Sequence, residues 1–567
     1  MDYLKEYNMW LDNEYFDEET KKELREIKDN DMEIQERFYK DLEFGTGGLR
    51  GIIGAGNNRM NIYTVRKATQ GLANYIKKNG QEASNKGVAI AYDSRYMSPE
   101  FADEAALVLN ANGIKAYVFE SLRPTPELSF AVRELSAVAG IVVTASHNPA
   151  DYNGYKVYWE DGAQITSPKD VEIINEVKKV TDYKDVKSMN KETAIKEGLY
   201  NVIGKEIDDR YIEELKKQII NPDSIKKASD DFSIVYTPLH GSGNIPVRRI
   251  LDEIGFNNVN VVKEQELPDS NFSTVSYPNP EDIKAFKLAI KLGKEKNADV
   301  ILATDPDADR LGVLVKKDGD YVALTGNMIG VLLLDYILSQ KKANNELPDN
   351  GAVIETIVST DMASVIADNY NVELIKVLTG FKYIGEKIKE FKQDDSYEYL
   401  FGFEESYGCL IGTHARDKDA VVATMMVCEL GAYYKLKGLT LYDALTKVYE
   451  KYGYYKETLE SVTLKGIEGV NKIKHILSIL RNESPKDING VKVIDAVDYL
   501  EDTDLPKSNV LYYTLEDGSW FCVRPSGTEP KIKFYFGIKD ASNDEADKHL
   551  KEFSEGVMKI INNIIQN

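Results

Sequence analysis

The sequence predicts an α/β protein: three related α/β domains with mixed, mostly parallel sheets, followed by a C-terminal α+β domain. Three observations carry that expectation. A strand, a polar turn, a helix and a second strand recur in that order at three separated places. Each copy spans about 30 residues, the size of a parallel crossover unit. The pattern breaks near Tyr455, and the chain of 567 residues has room for three or four domains of roughly 150 residues.

Residues 1 to about 40 place Leu24, Ile27, Met32, Ile34 and Phe38 at helical spacing, which predicts one or two amphipathic helices leading into the first domain. The first crossover unit runs from the strand Gly87–Tyr92 through Asp93-Ser-Arg95 and a helix over Pro99 to about Asn110, to the strand Ile114–Phe119. The second runs from Phe232–Tyr236 through a helix with Val247, Ile250, Leu251 and Ile254 on one face, to Val259–Val262. The third runs from Ala352–Ile357 through Ser359-Thr-Asp361 and a helix with Met362, Val365 and Ile366, to Val372–Val377. Beyond Tyr455 come strands at Glu457–Leu464, Val510–Thr514, Trp520–Val523 and Lys531–Phe536, with a helix near Val470–Arg481 and another from Asp544. Lys465–Gly469 and Glu483–Asp487 read as surface loops. The expected divisions are 1–205, 206–322, 323–454 and 455–567.

Five loops between these elements carry chemistry. Ile141–Val143 reads as a buried strand ending at Thr144-Ala-Ser-His-Asn-Pro149. Asn148 before Pro149 is pushed away from helical geometry, so Ser146 is presented at the carboxyl end of a strand, where open α/β sheets place ligands. Asp305, Asp307 and Asp309 follow the strand Val300–Thr304 at alternate positions, which in an extended loop point the same way. Three converging carboxylates repel unless a cation sits among them, and hard oxygen ligands select Mg²⁺ or another small divalent ion. A calcium loop of the EF-hand type is rejected, because Arg310 and Lys316 stand where it needs Gly and Glu. Glu404, Glu405 and Ser406 lie between glycines and suit hydrogen bonding to sugar hydroxyls, although an ordinary polar turn has the same composition. Arg524-Pro-Ser-Gly-Thr528 offers a guanidinium fork, two hydroxyls and a glycine for a phosphate. Gly45-Thr-Gly-Gly-Leu-Arg-Gly51 sets Arg50 in a glycine-rich turn. No nucleotide P-loop pattern occurs.

Taken in this order, these motifs resemble the α-D-phosphohexomutase superfamily from Gly45 to about Phe536. The longer N-terminus with Phe44-Gly-Thr-Gly-Gly-Leu-Arg-Gly is most similar to the branch of long bacterial phosphoglucomutase/phosphomannomutases and phosphopentomutase-like enzymes. The resemblance implies four domains around a central active-site cleft, with Ser146 as a phosphoserine. That phosphate completes a Mg²⁺ site with Asp305, Asp307 and Asp309, and Arg310 contacts it. Lys156 matches the family's candidate general acid/base, Arg50 a residue that steadies the transferring phosphoryl group, and Lys382 a basic residue near the site. His147 reads as shaping the serine loop rather than acting as a base. Glu404 and Ser406 match the sugar-hydroxyl loop; Arg524, Ser526, Gly527 and Thr528 match the loop for the non-reacting phosphate. Ala308 stands where the family more often has glycine, and Phe403 and Tyr407 flank the sugar loop. The implied activity is interconversion of hexose 1-phosphate and hexose 6-phosphate through a phosphoserine and a hexose 1,6-bisphosphate, the bisphosphate also serving as catalytic activator. A phosphopentomutase, a sugar-bisphosphate synthase, a metal-dependent hydrolase and a non-catalytic sugar-phosphate binder are the alternatives.

Composition agrees. The net charge of −22 excludes a nucleic-acid surface, which needs a basic footprint. A few local Arg and Lys side chains still permit a phosphate pocket, so small sugar phosphates remain the expected partners. Cys409, Cys428 and Cys522 are scattered and show no metal spacing, which suits a reducing cytosol. No signal-peptide pattern and no apolar run of ~18 residues appears, so the expected location is cytoplasmic and away from membranes. Oligomeric state is not encoded in these patterns.

Overall fold

The structure, a computed structural model, describes residues 2–44, 47–464, 466–526 and 531–566. It is α/β, with four sheets in chain order. The first has six strands, ordered Gly48–Ile52, Tyr152–Trp159, Ala139–Val143, Val88–Tyr92, Ala116–Phe119 and Tyr200–Ile203. Its last four strands are parallel to one another, while Tyr152–Trp159 runs antiparallel to both its neighbours. The second sheet orders Asp320–Leu324, Leu311–Lys317, Val300–Thr304, Ile234–Thr237 and Val259–Val261. The third orders Glu373–Val377, Gly351–Thr356, Glu398–Glu404 and Gly408–Ile411.

The three crossover units occupy equivalent places. In each, the strand after the helix lies parallel beside the strand before it: Ala116–Phe119 by Val88–Tyr92, Val259–Val261 by Ile234–Thr237, and Glu373–Val377 by Gly351–Thr356. Ala139–Val143 and Val300–Thr304 are buried at every residue, as expected of strands covered by helices on both faces. The fourth sheet is antiparallel throughout, from Tyr454–Thr463 to Asp487–Ile488, and packs against the helices Gly466–Asn482 and Asn543–Gln566. An apolar cluster of Ile357, Val358 and Leu378 with Val510, Trp520 and Tyr535 joins it to the third domain.

Four sequence expectations need correction. The N-terminus forms three helices rather than one or two, Tyr3–Asp12, Glu18–Glu26 and Asp31–Phe38. Asp17 and Asn30 cap the second and third through their side chains, which restarts the helix each time. Trp10, Phe16 and Phe38 pack these helices together. Second, the loop expected at Lys465–Gly469 is largely the first turn of the helix Gly466–Asn482, while Lys465 itself lies outside the described residues. Third, Asp487, expected in a loop, starts the short strand Asp487–Ile488. Fourth, the sequence reading missed the strand Val491–Asp498, half of whose residues are exposed and none buried, so that it offers no buried face to recognise. Among the described residues, no helix is long and apolar enough to cross a membrane.

Candidate active site

The strand Ala139–Val143 delivers its chain into a tight loop in which Ser146 adopts φ +52°, a conformation that side-chain-bearing residues rarely take. Arg95 holds that loop. Its guanidinium donates to the carbonyls of Ser146 and Asn148, both at 2.5 Å, and to those of Pro149 at 2.7 Å and Tyr152 at 3.0 Å. Asp93 is the counter-charge to Arg95 and also accepts from Thr144 and Ser98. The neighbouring strand passes so close that a Cβ on Gly154 would stand 2.4 Å from the Thr144 carbonyl oxygen.

The aspartates converge through a turn, not through extended alternation as the sequence reading supposed. Asp305 Oδ1 accepts from the backbone N–H groups of Asp309 and Arg310, which folds the loop back on itself. Ala308 takes φ +50° in that turn, a geometry glycine adopts without strain. The second carboxylate oxygen of Asp305 accepts from Ser146 Oγ at 2.7 Å, so the serine and aspartate loops meet. One oxygen from each of Asp305, Asp307 and Asp309 lies within 4.8 Å of the others. Asp307 Oδ1 and Asp309 Oδ1 are buried and without a hydrogen bond. Buried carboxylate oxygens left unpaired are costly, and three such groups suit a small divalent cation. The donor set fits a metal.

Charges around this cluster are shared among domains. Lys156 Nζ donates to Asp307 Oδ2 at 2.8 Å and lies 3.5 Å from Asp309. Thr125 donates its hydroxyl and its N–H to Asp307, both at 2.9 Å. Lys418 approaches Asp309 at 3.2 Å, and Arg310 pairs with Glu281. Burial and the like charges of Asp307 and Asp309 push the Asp305 carboxyl well up. Burial also opposes ionisation of Asp309, but Lys418, Lys156 and Arg310 overcome it and hold that carboxyl low. Burial would lower Lys156, yet Asp307 and Asp309 raise it, so it stands protonated here. That is opposite to the lowering expected of a lysine base, because its nearest charges are carboxylates. Burial, then Arg310 and Arg50, keep His147 neutral; its Nδ1 lies 3.1 Å from Ser146 Oγ.

The structure thus brings together Ser146, His147, Lys156, Asp305, Asp307, Asp309 and Arg310. Arg50 lies opposite Gly154 in the strand pairing and donates to the Asn148 side chain at 3.3 Å, beside the serine loop. Glu404 ends a third-domain strand and accepts from the Gly380 N–H at 2.9 Å, while Ser406 occupies the following turn. Arg524 and Ser526 lie at the end of the strand Trp520–Pro525. Lys382 lies in the first turn of the helix Phe381–Asp394, with Asp170, Glu386 and Arg524 in its surroundings. Gly527 and Thr528 lie outside the described residues. The sequence reading assigned no role to Arg95, Thr125 or Lys418. Asp93-Ser-Arg95 at the end of a crossover strand was the one available signal; Thr125 and Lys418 sit far along the chain from the aspartates they touch.

The order and content of the domains decide the family. Family descriptions for phosphoglucomutase/phosphomannomutase match in sequence: alpha/beta/alpha domain I at residues 41–184, domain II at 209–319, domain III at 325–452 and the C-terminal domain at 479–553. The phosphoglucomutase of Staphylococcus aureus (strain MRSA252) is 39% identical over 531 residues, covering 91% of this chain and 93% of that protein. The chain belongs to the phosphoglucomutase/phosphomannomutase family. It is a phosphohexomutase-type enzyme, an isomerase. Solved structures share its fold. Pp63/parafusin, a phosphoglucomutase from Paramecium in an open form, has a TM-score of 0.68 at 20% identity, covering 93% of this chain and 95% of that one. A phosphoglucomutase/phosphomannomutase family protein from Burkholderia thailandensis has a TM-score of 0.65 at 19% identity, covering 92% and 97%.

Proposed function

We propose that this phosphohexomutase interconverts glucose 1-phosphate and glucose 6-phosphate, with mannose phosphates as secondary substrates, and that Ser146 carries the phosphoryl group. The observation that supports this reading best is the 2.7 Å contact between Ser146 Oγ and Asp305, beside two buried carboxylate oxygens that have no partner. Asp305, Asp307 and Asp309, with the serine phosphate, would hold Mg²⁺, which supplies positive charge to offset that of the phosphoryl group.

The residues of the chain then divide the work. The phosphoserine gives its phosphoryl group to the free hydroxyl of a hexose monophosphate. The O–P bond to Ser146 breaks as the new one forms, and the hydroxyl proton must leave. Such transfer depends on positioning and charge neutralisation more than on covalent chemistry. Arg50 and Arg310 neutralise the moving group. Lys156, protonated at rest, gives its proton to Ser146 Oγ as that bond breaks and is reprotonated by the sugar hydroxyl. His147, held neutral, shapes the serine loop. Glu404 and Ser406 hold sugar hydroxyls. Arg524, Ser526, Gly527 and Thr528 hold the phosphate that is not reacting, with Lys382 close to Arg524. The hexose 1,6-bisphosphate turns within the cleft and returns its other phosphate to Ser146, so added bisphosphate activates a dephosphorylated enzyme.

Ser146→Ala should abolish mutase turnover, and peptide mass spectrometry of the wild type should find one phosphoryl group on Ser146. A Ser146→Ala protein with near-normal turnover would overturn the assignment. Rates on glucose 1-phosphate, mannose 1-phosphate and ribose 1-phosphate test the sugar, and a large preference for ribose would replace the hexose reading with a phosphopentomutase.

A further inference from the structure

A second charged cleft lies away from the serine and aspartate loops. It has a volume of about 360 Å³ and is lined by Lys86, Arg133, Lys389, Lys392 and Arg416, with Glu160 and Asp161. Five cationic side chains against two carboxylates leave an excess of positive charge, in a chain whose net charge is −22. Chance placement on so acidic a protein would give the opposite sign. The walls come from two domains: Arg133 ends the helix Thr125–Glu134 and Glu160–Asp161 follow the strand Tyr152–Trp159, while Lys389 and Lys392 lie on the helix Phe381–Asp394 and Arg416 precedes the helix Ala420–Lys435.

Arg416 is the informative residue. It is 3% exposed, and its Nε has no hydrogen-bond partner. Its Nη1 is anchored, donating to the carbonyls of Thr413 at 2.6 Å and Ala415 at 2.8 Å. Arg133 donates to the Thr413 carbonyl too, at 2.6 Å, so two guanidinium groups share one acceptor. Leaving a buried charged donor unpaired is costly. Burial, with Arg133 alongside, pushes the Arg416 guanidinium down to about 9. An anion in the cleft would offset the repulsion between the Arg416 and Arg133 guanidinium groups.

We propose that this cleft between the first and third domains binds a small polyanion, a compound bearing two or more phosphate or carboxylate groups, separately from the sugar-phosphate site. The guanidinium forks of Arg133 and Arg416 match the planar oxygens of either group. Lys389 and Lys392 supply charge at the mouth; Lys389 is 3.0 Å from Asp161, which limits the number of anionic groups that the cleft takes. The site adjoins the catalytic centre through two short segments. Lys156 lies on the strand that ends before Glu160, and Lys418, which reaches Asp309, is two residues from Arg416.

The test is calorimetric titration of the full-length protein in chelator-containing buffer, with inorganic pyrophosphate and separately with citrate, for the wild type and for Lys389→Gln/Lys392→Gln. Both lysines lie toward solvent, and superposed thermal melts check that the variant is folded. Any binding to the catalytic phosphate loop persists in both proteins and cancels between them. The expected result is saturable binding by the wild type that weakens at least about tenfold in the double variant, with sugar-phosphate turnover unchanged. A response to pyrophosphate assigns a phosphorylated ligand, and one to citrate a polycarboxylate. Identical isotherms from the two proteins, or no saturable binding by the wild type, overturn the proposal.

Discussion

Lys418 crosses from the third domain to stand 3.2 Å from Asp309 in the second, and 3.0 Å from its own neighbour Asp417. Burial alone would lower its pKa, but Asp309, Asp417 and Glu404 raise it, so it is a fixed positive charge beside the aspartates. It therefore compensates the carboxylates when no cation is bound and competes with a cation for them. Lys418→Met should destabilise the metal-free protein, by at most on the order of 3–5 kcal/mol because Lys156 still faces Asp309. Added Mg²⁺ should then raise the melting temperature more in the variant than in the wild type. Thermal melts with and without Mg²⁺ measure this, and equal shifts would separate Lys418 from the metal site.

Arg95 reaches four carbonyls of the serine loop from one guanidinium, which a lysine ammonium lacks the planar fork to reproduce. Arg95→Lys keeps the charge opposite Asp93 but loses most of these bonds. The amides of residues 144–153 should exchange roughly tenfold faster or more, and kcat should fall with them. Unchanged exchange in that segment would show that the loop holds its shape without Arg95.

Gly154 makes room for the same loop. A methyl group there would lie 2.4 Å from the Thr144 carbonyl oxygen and 2.9 Å from that of Leu49, both backbone atoms with no rotamer to yield. Gly154→Ala should displace Ser146 from Asp305, and a shift of about 1 Å costs on the order of a hundredfold in rate. Mg²⁺ binding by the dephosphorylated protein should be retained, since Asp305, Asp307 and Asp309 lie in a loop between strands of another sheet. Turnover and Mg²⁺ titration on one preparation distinguish this from general misfolding.

Much of the architecture was legible because it is local. Each crossover unit is a continuous stretch of about 30 residues whose buried strands and one-sided helices leave periodic apolar patterns. The aspartate loop was legible for the same reason, although its turn was not: Asp305 folds it by accepting backbone N–H groups, which side-chain identity does not announce. Contacts between domains were not legible. Thr125 and Lys418 acquire their roles only when separate sheets meet, and nothing in their immediate neighbours distinguishes them from surface polar residues. The strand Val491–Asp498 escaped because none of its residues is fully buried, so no apolar face marks it in the sequence.

Glu355 gives the stability of the third domain a pH dependence with a definite sign. It is fully buried on the strand Gly351–Thr356, and one carboxylate oxygen has no hydrogen bond. Burial pushes its pKa up to about 8 from the ordinary 4.5; Lys376 and the Thr360 N–H pull it down, and Asp361 and Glu457 push it further up. Lys376 is the only cation among these groups, 3.6 Å from Glu355, and it lies closer to Asp361, at 2.7 Å. Between about 4.5 and 8 the folded protein therefore keeps a proton that the unfolded chain has released. Stability contributed by the neutral carboxyl is complete below the unfolded value and is lost as pH rises toward 8. Glu355→Gln preserves shape and removes the titration. Its melting temperature should match the wild type near pH 4.5, decline less as pH rises, and exceed the wild type above pH 8. Parallel curves across that window would show that Glu355 is ionised in the folded protein.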